Sequence, residues 1–209
     1  MLNTITTPTG IDVPIKRLQE KLHSSLLAKW GINTNLYQSY GRCYRNKKDD
    51  GYIAEVFQSD SAAGGIDYKE VYWNDTLAAI SFFGLSGQQE YQTGGISIGV
   101  HLVFFVNLKT LKSSITHRAD EEVRRDVISS IGKNAFGFQL DSVELWSENV
   151  LREYPGSRRD DRLKRVDMHP VHCFRLNLTL NTGTNCLSDE PHGFLRLQLA
   201  HSIHLKQFP

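Results

Sequence analysis

The stretch from Ile96 to Leu108 reads ISIGVHLVFFVNL and carries the clearest structural signal in the chain. Every second residue is apolar, which gives seven consecutive matches to the two-residue period of a β-strand. A strand of this length spans roughly 40 Å, about twice the ordinary strand length. The pattern therefore predicts one long strand with a fully apolar face that fixes the core.

The other face of this strand is polar except near its centre, where Val103 and Phe105 interrupt it. Apolar side chains at that position need cover, because a large exposed apolar patch is unfavourable in water. A neighbouring subunit or a helix of the same chain could supply it. We identify Val103 and Phe105 as a candidate subunit-contact face, with a helix of the same chain as the alternative.

Two helices are predicted, at about residues 15–30 and 117–132. In the first, apolar residues recur at helical spacing behind Asp12, a plausible N-cap, and Gly31 is a suitable residue to follow the helix. In the second, acidic residues crowd the first turn, where the helix dipole favours negative charge. Both helices have an apolar stripe that predicts packing against a sheet.

Further strand-like runs are shorter or less regular. They are Tyr52–Gln58, Tyr68–Trp73, Phe138–Trp146 with a phase slip at Asp141–Ser142 that indicates a bulge, His172–Leu180 and Leu195–Leu205. The apolar run Leu77–Phe83 is compatible with either helix or strand. Five to seven strands with clean alternation predict an α+β fold: a mainly antiparallel sheet with long strands, covered on one face by the two helices.

Composition is that of an ordinary globular domain. Hydrophobic residues make up 40% and charged residues 22% of 209 residues, and the formal net charge of +1 is too balanced for a global nucleic-acid footprint. Three cysteines without close spacing indicate a reducing compartment, and we expect folding in cytoplasm, since the first residues do not resemble a signal peptide. We predict a single domain over residues 1–209, with an N-terminal arm at residues 1–11. Mobile loops are predicted at residues 84–95, where a hairpin is the alternative, and at residues 153–168.

No motif predicts catalysis, a cofactor or a metal ion. His169, His172 and Cys173 suggest zinc by residue type, but strand parity sends His169 and His172 to opposite faces. An enzyme with dispersed catalytic residues, for example His101 and Asp75, stays a minor alternative. The main alternative is a small-ligand-binding β-rich domain, whose pocket would use the aromatic group Tyr68, Tyr72, Trp73, Phe82 and Phe83. The favoured interpretation of this aromatic group is a core or subunit-contact role, since aromatic residues dominate both.

A basic segment lies in the second predicted loop. Its members are Arg158, Arg159, Arg162, Lys164 and Arg165, and two aspartates reduce its excess positive charge over those eight positions to three. A solvated surface loop is one interpretation. The other is a loop that contacts DNA phosphates without reading sequence, multiplied around the channel of a symmetric ring.

Three segments carry a family resemblance. They are Tyr52–Phe57 with Asp67–Val71 and Asn74–Asp75, then Val100–Leu108 leading into Ala119–Val127, and Met168–Phe174 with the strand that follows. Together they resemble structural proteins of tailed bacteriophages that infect Bacteroidetes, and the layout is similar to tail-terminator and head–tail connector proteins. The resemblance covers roughly half of the chain and brings no site residue with it.

This resemblance implies a virion structural protein that is not an enzyme and needs no cofactor. It implies a homo-oligomeric ring at the neck or tail of the virion, around the DNA channel and assembled in the host cytoplasm. The implied partners are other copies of the chain, other neck and tail proteins and, through the basic loop, packaged DNA. No membrane and no small molecule are expected as partners.

Overall fold

Strand β6 (Gly95–Asn107) lies inside the sheet and matches the predicted long strand within one residue at each end. It pairs antiparallel with β5 (Ala79–Gln92) on one side and, along its whole length, with β8 (Val171–Gly183) on the other. The computed structural model describes residues 1–48, 51–58, 67–92, 95–113, 118–154 and 169–183. Within these ranges β6 is the strand with the most complete pairing, as its regular alternation predicts.

The other strands extend the sheet in both directions from β5, β6 and β8. They are β1 (Leu2–Asn3), β2 (Tyr37–Lys48), β3 (Gly51–Gln58), β4 (Asp67–Glu70) and β7 (Phe138–Glu144). The strand order is β4-β3-β2-β5-β6-β8-β7, and β1 pairs with β2. The pairs β1–β2 and β2–β5 are parallel, and all the others are antiparallel. The prediction of a mainly antiparallel sheet is confirmed for the described residues.

Four helices accompany the sheet in the described part of the chain: α1 (Asp12–Trp30), α2 (Leu108–Leu111), α3 (Ala119–Ile131) and α4 (Ser147–Glu153). The first and third correspond to the two predicted helices. Helix α1 ends at Gly31, whose φ of 62° is left-handed and whose N–H donates to the carbonyl of Leu27. The predicted N-cap is wrong, because Ile11 precedes the helix. The Asp12 carboxylate instead accepts two hydrogen bonds from Arg42, at 2.7 and 2.8 Å.

One face of the sheet packs against α1 and α3. Leu102 and Phe104 of β6 are fully buried there together with Leu18 of α1 and Val123 and Val127 of α3. Each fully buried side chain of this kind contributes about 1.5–3 kcal/mol, as an upper estimate. This is the core that the apolar face of the long strand predicts.

The opposite face is also covered, so the prediction of one covered face is wrong. Val103 is 0% and Phe105 is 2% exposed, in a second apolar cluster with Phe82, Val150 and Leu151. The last two residues lie on α4, so a helix of the same chain closes over this face. Val103 and Phe105 are therefore core residues and do not form a subunit-contact face.

Two predicted flexible regions are instead paired in the sheet. Leu2 and Asn3, in the predicted arm, pair in parallel with Ser39 and Tyr40 of β2. Residues 84–92, in the first predicted mobile loop, extend β5 and pair with β6 in a hairpin, with one irregularity between Ser86 and Glu90. The second predicted loop, residues 153–168, lies outside the described residues except for its first two.

Strand β7 contains the predicted bulge. Its register with β8 shifts between Leu140 and Ser142, so Asp141 is the extra residue. The Asp141 carboxylate accepts a hydrogen bond of 2.7 Å from the Thr179 hydroxyl, which holds the bulged segment to β8. Leu140 and Val143 still face the core on either side of the bulge.

Candidate functional site

A cluster of ionisable side chains lies where α4 meets the sheet. The Glu153 carboxylate, at the end of α4, pairs with Arg45 of β2 at 2.8 Å and with Arg175 of β8. His101 of β6 completes the cluster, with Nδ1 at 3.5 Å from the Glu153 carboxylate. The side chains of Glu153, His101 and Arg175 are each less than one fifth exposed. The cluster fixes the end of α4 to three strands at once.

The electrostatics of the cluster favour an ionised Glu153. Burial alone would raise the pKa of its carboxyl group, but the contact with His101 and the charges of Arg175 and Arg45 outweigh that effect and lower the pKa. A carboxylate that stays ionised beside two arginines is suited to holding structure together. It is poorly suited to general acid catalysis, which needs a raised pKa.

Tyr154 follows Glu153, and its side chain is buried in the apolar cluster between α4 and the sheet. Its ring lies 5.1 Å from that of Phe82 in an edge-on arrangement, and burial raises the pKa of its hydroxyl group. A Cβ atom at Gly84 would lie only 2.7 Å from the Tyr154 hydroxyl oxygen. Glycine at position 84 therefore leaves room for the Tyr154 side chain. This contact holds residue 154 against the sheet, just before the basic segment in the sequence.

The suggested pairing of His101 with Asp75 does not occur. His101 contacts Glu153, whereas the Asp75 carboxylate accepts a hydrogen bond of 2.7 Å from the Trp73 indole N–H. Sequence reasoning missed Glu153, Arg45 and Arg175. The separations of 108 and 22 residues between Glu153 and the two arginines give no local motif.

The histidine pair lies elsewhere, near the start of α3. The rings of His169 and His172 are 6.0 Å apart, so the parity argument that separated them is wrong. Parity does not apply because β8 begins only at Val171. Burial lowers the pKa of His172, an effect that the nearby charge of Asp120 opposes. No group of three or more potential metal ligands occurs in the residues that the structure describes.

The aromatic group proposed as a ligand pocket is divided by the sheet. Phe82 and Trp73 belong to the cluster under α4, while Phe83 belongs to the cluster under α1 and α3. All three are at most 4% exposed. Tyr72 donates a hydrogen bond to Glu70. Trp73, Phe82 and Phe83 therefore fill two separate cores, and Tyr68 is 46% exposed, so the group does not line a common cavity.

In the part of the chain that the structure describes, two exposed apolar patches lie at the two ends of the strand order. The first, here called the Tyr44 patch, consists of Tyr44, Phe57 and Tyr68 on β2, β3 and β4, with both tyrosines 46% exposed and ring centroids 5.3–5.7 Å apart. The second, the Trp146 patch, consists of Leu145 and Trp146, which follow β7 and are 52% and 67% exposed. Exposed aromatic groups of this kind are typical of protein–protein contacts.

A groove of about 440 Å³ runs between the end of α3 and β7. Ile128, Ser129 and Ile131 line it from the helix, Gln139 and Leu140 line it from the strand, and Gly132, Lys133 and Asn134 line it between them. Ile128 is 37% exposed. The groove therefore combines apolar and polar side chains beside the last strand of the sheet.

The predicted DNA-contacting residues Arg158, Arg159, Arg162, Lys164 and Arg165 lie outside the described residues. Of the predicted loop at residues 153–168, the structure describes only Glu153 and Tyr154. No described helix is long and apolar enough to cross a membrane.

No family model, curated protein or solved structure matches the chain.

Proposed function

We propose that this chain is a structural protein of a tailed bacteriophage particle and is not an enzyme. It forms a homo-oligomeric ring at the head–tail interface, as a tail terminator or connector, around the DNA channel. Its place is the virion, with assembly in the host cytoplasm, and its partners are its own copies and other neck or tail proteins. The family resemblance of the sequence supports the phage origin.

The observation that carries ring formation is the presence of two different exposed patches, the Tyr44 patch and the Trp146 patch. A ring needs a head-to-tail interface in which one surface of a subunit contacts a different surface of the next. A twofold dimer would need only one patch that complements itself. In the proposed ring, the Trp146 patch of one subunit packs on the Tyr44 patch of its neighbour, with tryptophan and tyrosine as the main binding residues.

This arrangement is tested with two single variants, Tyr44→Glu and Trp146→Glu. Each variant alone is expected to be monomeric in native mass spectrometry, because a charge in the centre of the interface is costly to bury. An equimolar mixture is expected to give a heterodimer, since each variant retains one intact patch. Phe136→Glu, at an aromatic residue that is 42% exposed and outside both patches, is the matched control and should assemble like the unmodified chain.

Two results would contradict the ring proposal. One is a strict monomer of the unmodified chain at high concentration, together with its absence from purified virions by proteomics. The other is that the mixture of variants stays monomeric, which would mean that the two patches do not bind each other.

The basic loop extends this proposal to DNA. If it faces the channel, replacing Arg158, Arg159 and Arg162 by serine should weaken retention on duplex DNA equally for unrelated sequences, because phosphate contacts carry no sequence information. The salt dependence of retention should also become shallower, by about one unit of slope for each phosphate that the variant no longer neutralises. Unchanged DNA retention and salt dependence would show that the loop faces solvent or protein.

A further inference from the structure

Two glutamates lie opposite each other beside the Tyr44 patch. Glu55 of β3 pairs directly with Tyr44 of β2 on one side and with Glu70 of β4 on the other, so the three side chains form a row on one face of the sheet. The Glu70 carboxylate accepts a hydrogen bond from the Tyr72 hydroxyl. Like charges in directly opposite positions destabilise a sheet, and a cation bound between them would remove that cost.

The subunit itself gives Glu55 no described cation. Arg42, on the same face of β2, donates from Nε and Nη2 to the Asp12 carboxylate at 2.7 and 2.8 Å. Arg45 and Lys69 lie one residue away from the row in β2 and β4, and strand alternation turns both to the other face. Glu55 is therefore a half-buried carboxylate that pairs with no described side chain.

The surroundings of Glu55 suit an arginine from outside the subunit. The rings of Tyr44 and Tyr68 are 5.7 Å apart in an edge-on arrangement, and both side chains are 46% exposed. An aromatic face attracts a cation, and a carboxylate forms charge-assisted hydrogen bonds with it. Arginine combines both contacts, since its planar guanidinium group stacks on aromatic rings and binds carboxylates.

The other patch of the proposed interface offers one such arginine. Arg152 is an exposed residue of α4, and residues 134–151, which include the Trp146 patch, contain no lysine or arginine. Its Nη2 donates to Oδ1 of Asn149 in the same helix at 2.9 Å. It pairs with no described carboxylate, including that of Glu148 one turn earlier in α4.

The spacing of the two patches also agrees. Arg152 follows Trp146, which precedes α4, by six residues, or about 9 Å along a helix axis. In the other patch, Glu55 lies one strand spacing and Glu70 two strand spacings from Tyr44, or about 5 and 10 Å. When Trp146 packs on Tyr44, Arg152 therefore falls within reach of the two glutamates.

We propose that Arg152 of one subunit binds between the Tyr44 patch and the Glu55–Glu70 pair of the next subunit. This contact rests on the proposed function, because it forms only where the Trp146 patch of one copy meets the Tyr44 patch of another. It adds the charge pair that fixes the orientation of neighbours, since complementary charges at an interface set register and exclude wrong partners.

The heterodimer of the Tyr44→Glu and Trp146→Glu variants tests this contact, because it contains a single interface. Adding Arg152→Glu to the Tyr44→Glu subunit should raise the Kd, measured by native mass spectrometry, about 10-fold or more. Glu55→Arg in the Trp146→Glu subunit should do the same. Combining both changes swaps the charges and should recover most of the lost affinity. Arg125→Glu, at an exposed arginine of α3, is the matched control and should change the Kd less than about 3-fold.

Thermal unfolding of the monomeric Trp146→Glu variant, with and without Glu55→Arg, separates binding from folding. The arginine lies opposite Glu70 and turns a like-charge pair into an opposite-charge pair, so the melting temperature should not fall. A weaker heterodimer then reports the interface and not a damaged subunit.

Three outcomes would overturn the Arg152 contact, and they separate it from the ring itself. If no heterodimer forms, the ring proposal and the contact both fail. If the heterodimer forms and neither Arg152→Glu nor Glu55→Arg changes its Kd, the ring proposal stands and the contact alone fails. If both changes weaken binding but their combination recovers nothing, the two residues do not pair with each other.

Discussion

Phe105→Glu is expected to yield no folded protein. Phe105 is 2% exposed and its ring lies 6.2 Å from that of Phe82 and 6.5 Å from that of Trp73. Truncation of a buried phenylalanine alone costs about 3–5 kcal/mol. A glutamate adds the desolvation of a carboxyl group that has no partner there, so the total approaches the whole stability of a typical domain. Soluble yield, circular dichroism and thermal unfolding measure the effect.

A conservative variant and a surface variant make this prediction specific. Phe105→Leu keeps an apolar side chain and should cost about 1–2 kcal/mol, with the fold retained. Phe136→Glu introduces the same charge at an aromatic residue that is 42% exposed, and its stability should change little. A folded Phe105→Glu monomer that fails only to assemble would show that another subunit, and not α4, covers this face.

Glu153→Ala is expected to lower the free energy of unfolding by roughly 2–4 kcal/mol. The substitution leaves Arg175, whose side chain is 15% exposed, without the carboxylate that neutralises it, and unpaired buried charges are strongly destabilising. For a chain of this size the melting temperature should fall by roughly 4–16 °C. Glu148→Ala, on an exposed position of the same helix, is the matched control and should change the melting temperature by less than about 2 °C.

The effect of Glu153 should depend on pH in a defined direction. Its pKa in the folded state is lowered from the ordinary value of 4.5, so the ionised form is the one that stabilises the fold. The stability difference between the unmodified chain and Glu153→Gln should be complete above that ordinary pKa and should disappear as the pH falls through the lowered folded pKa. A difference that persists unchanged at strongly acidic pH would mean that Glu153 acts through packing and not through its charge.

The sequence predicts those elements whose signal is local and regular. Strand β6 is recovered within one residue at each end, helix α1 is recovered with the correct end but a start three residues too late, and the slip at Asp141 predicts the observed bulge. Helix α4 is missed because seven residues with Val150 and Leu151 as the only large apolar side chains give no helical period. Without α4 to cover them, Val103 and Phe105 resemble an interface in the sequence although they belong to the core.

The ionic cluster at the end of α4 could not be predicted from the sequence for a different reason. Arg45, His101, Glu153 and Arg175 come from β2, β6, α4 and β8, and only the strand order brings them together. The sequence of β2 is an aromatic and charged stretch without regular alternation. Its second half, Cys43–Lys48, pairs with β3 across a short connection, but its first half is a strand through the parallel pairing with β5, which is a tertiary feature.

The position of β6 between β5 and β8 has a consequence for folding on the ribosome. Its partner β5 precedes it directly, so that hairpin can form early, whereas Phe104 pairs with Phe174, 70 residues later in the chain. Contacts between such distant residues slow folding, because a long loop must close before they form. During synthesis, one edge of β6 therefore lacks its partner strand β8 until about residue 183 has left the ribosome. During that interval the unpaired strand edge exposes the nascent chain to aggregation.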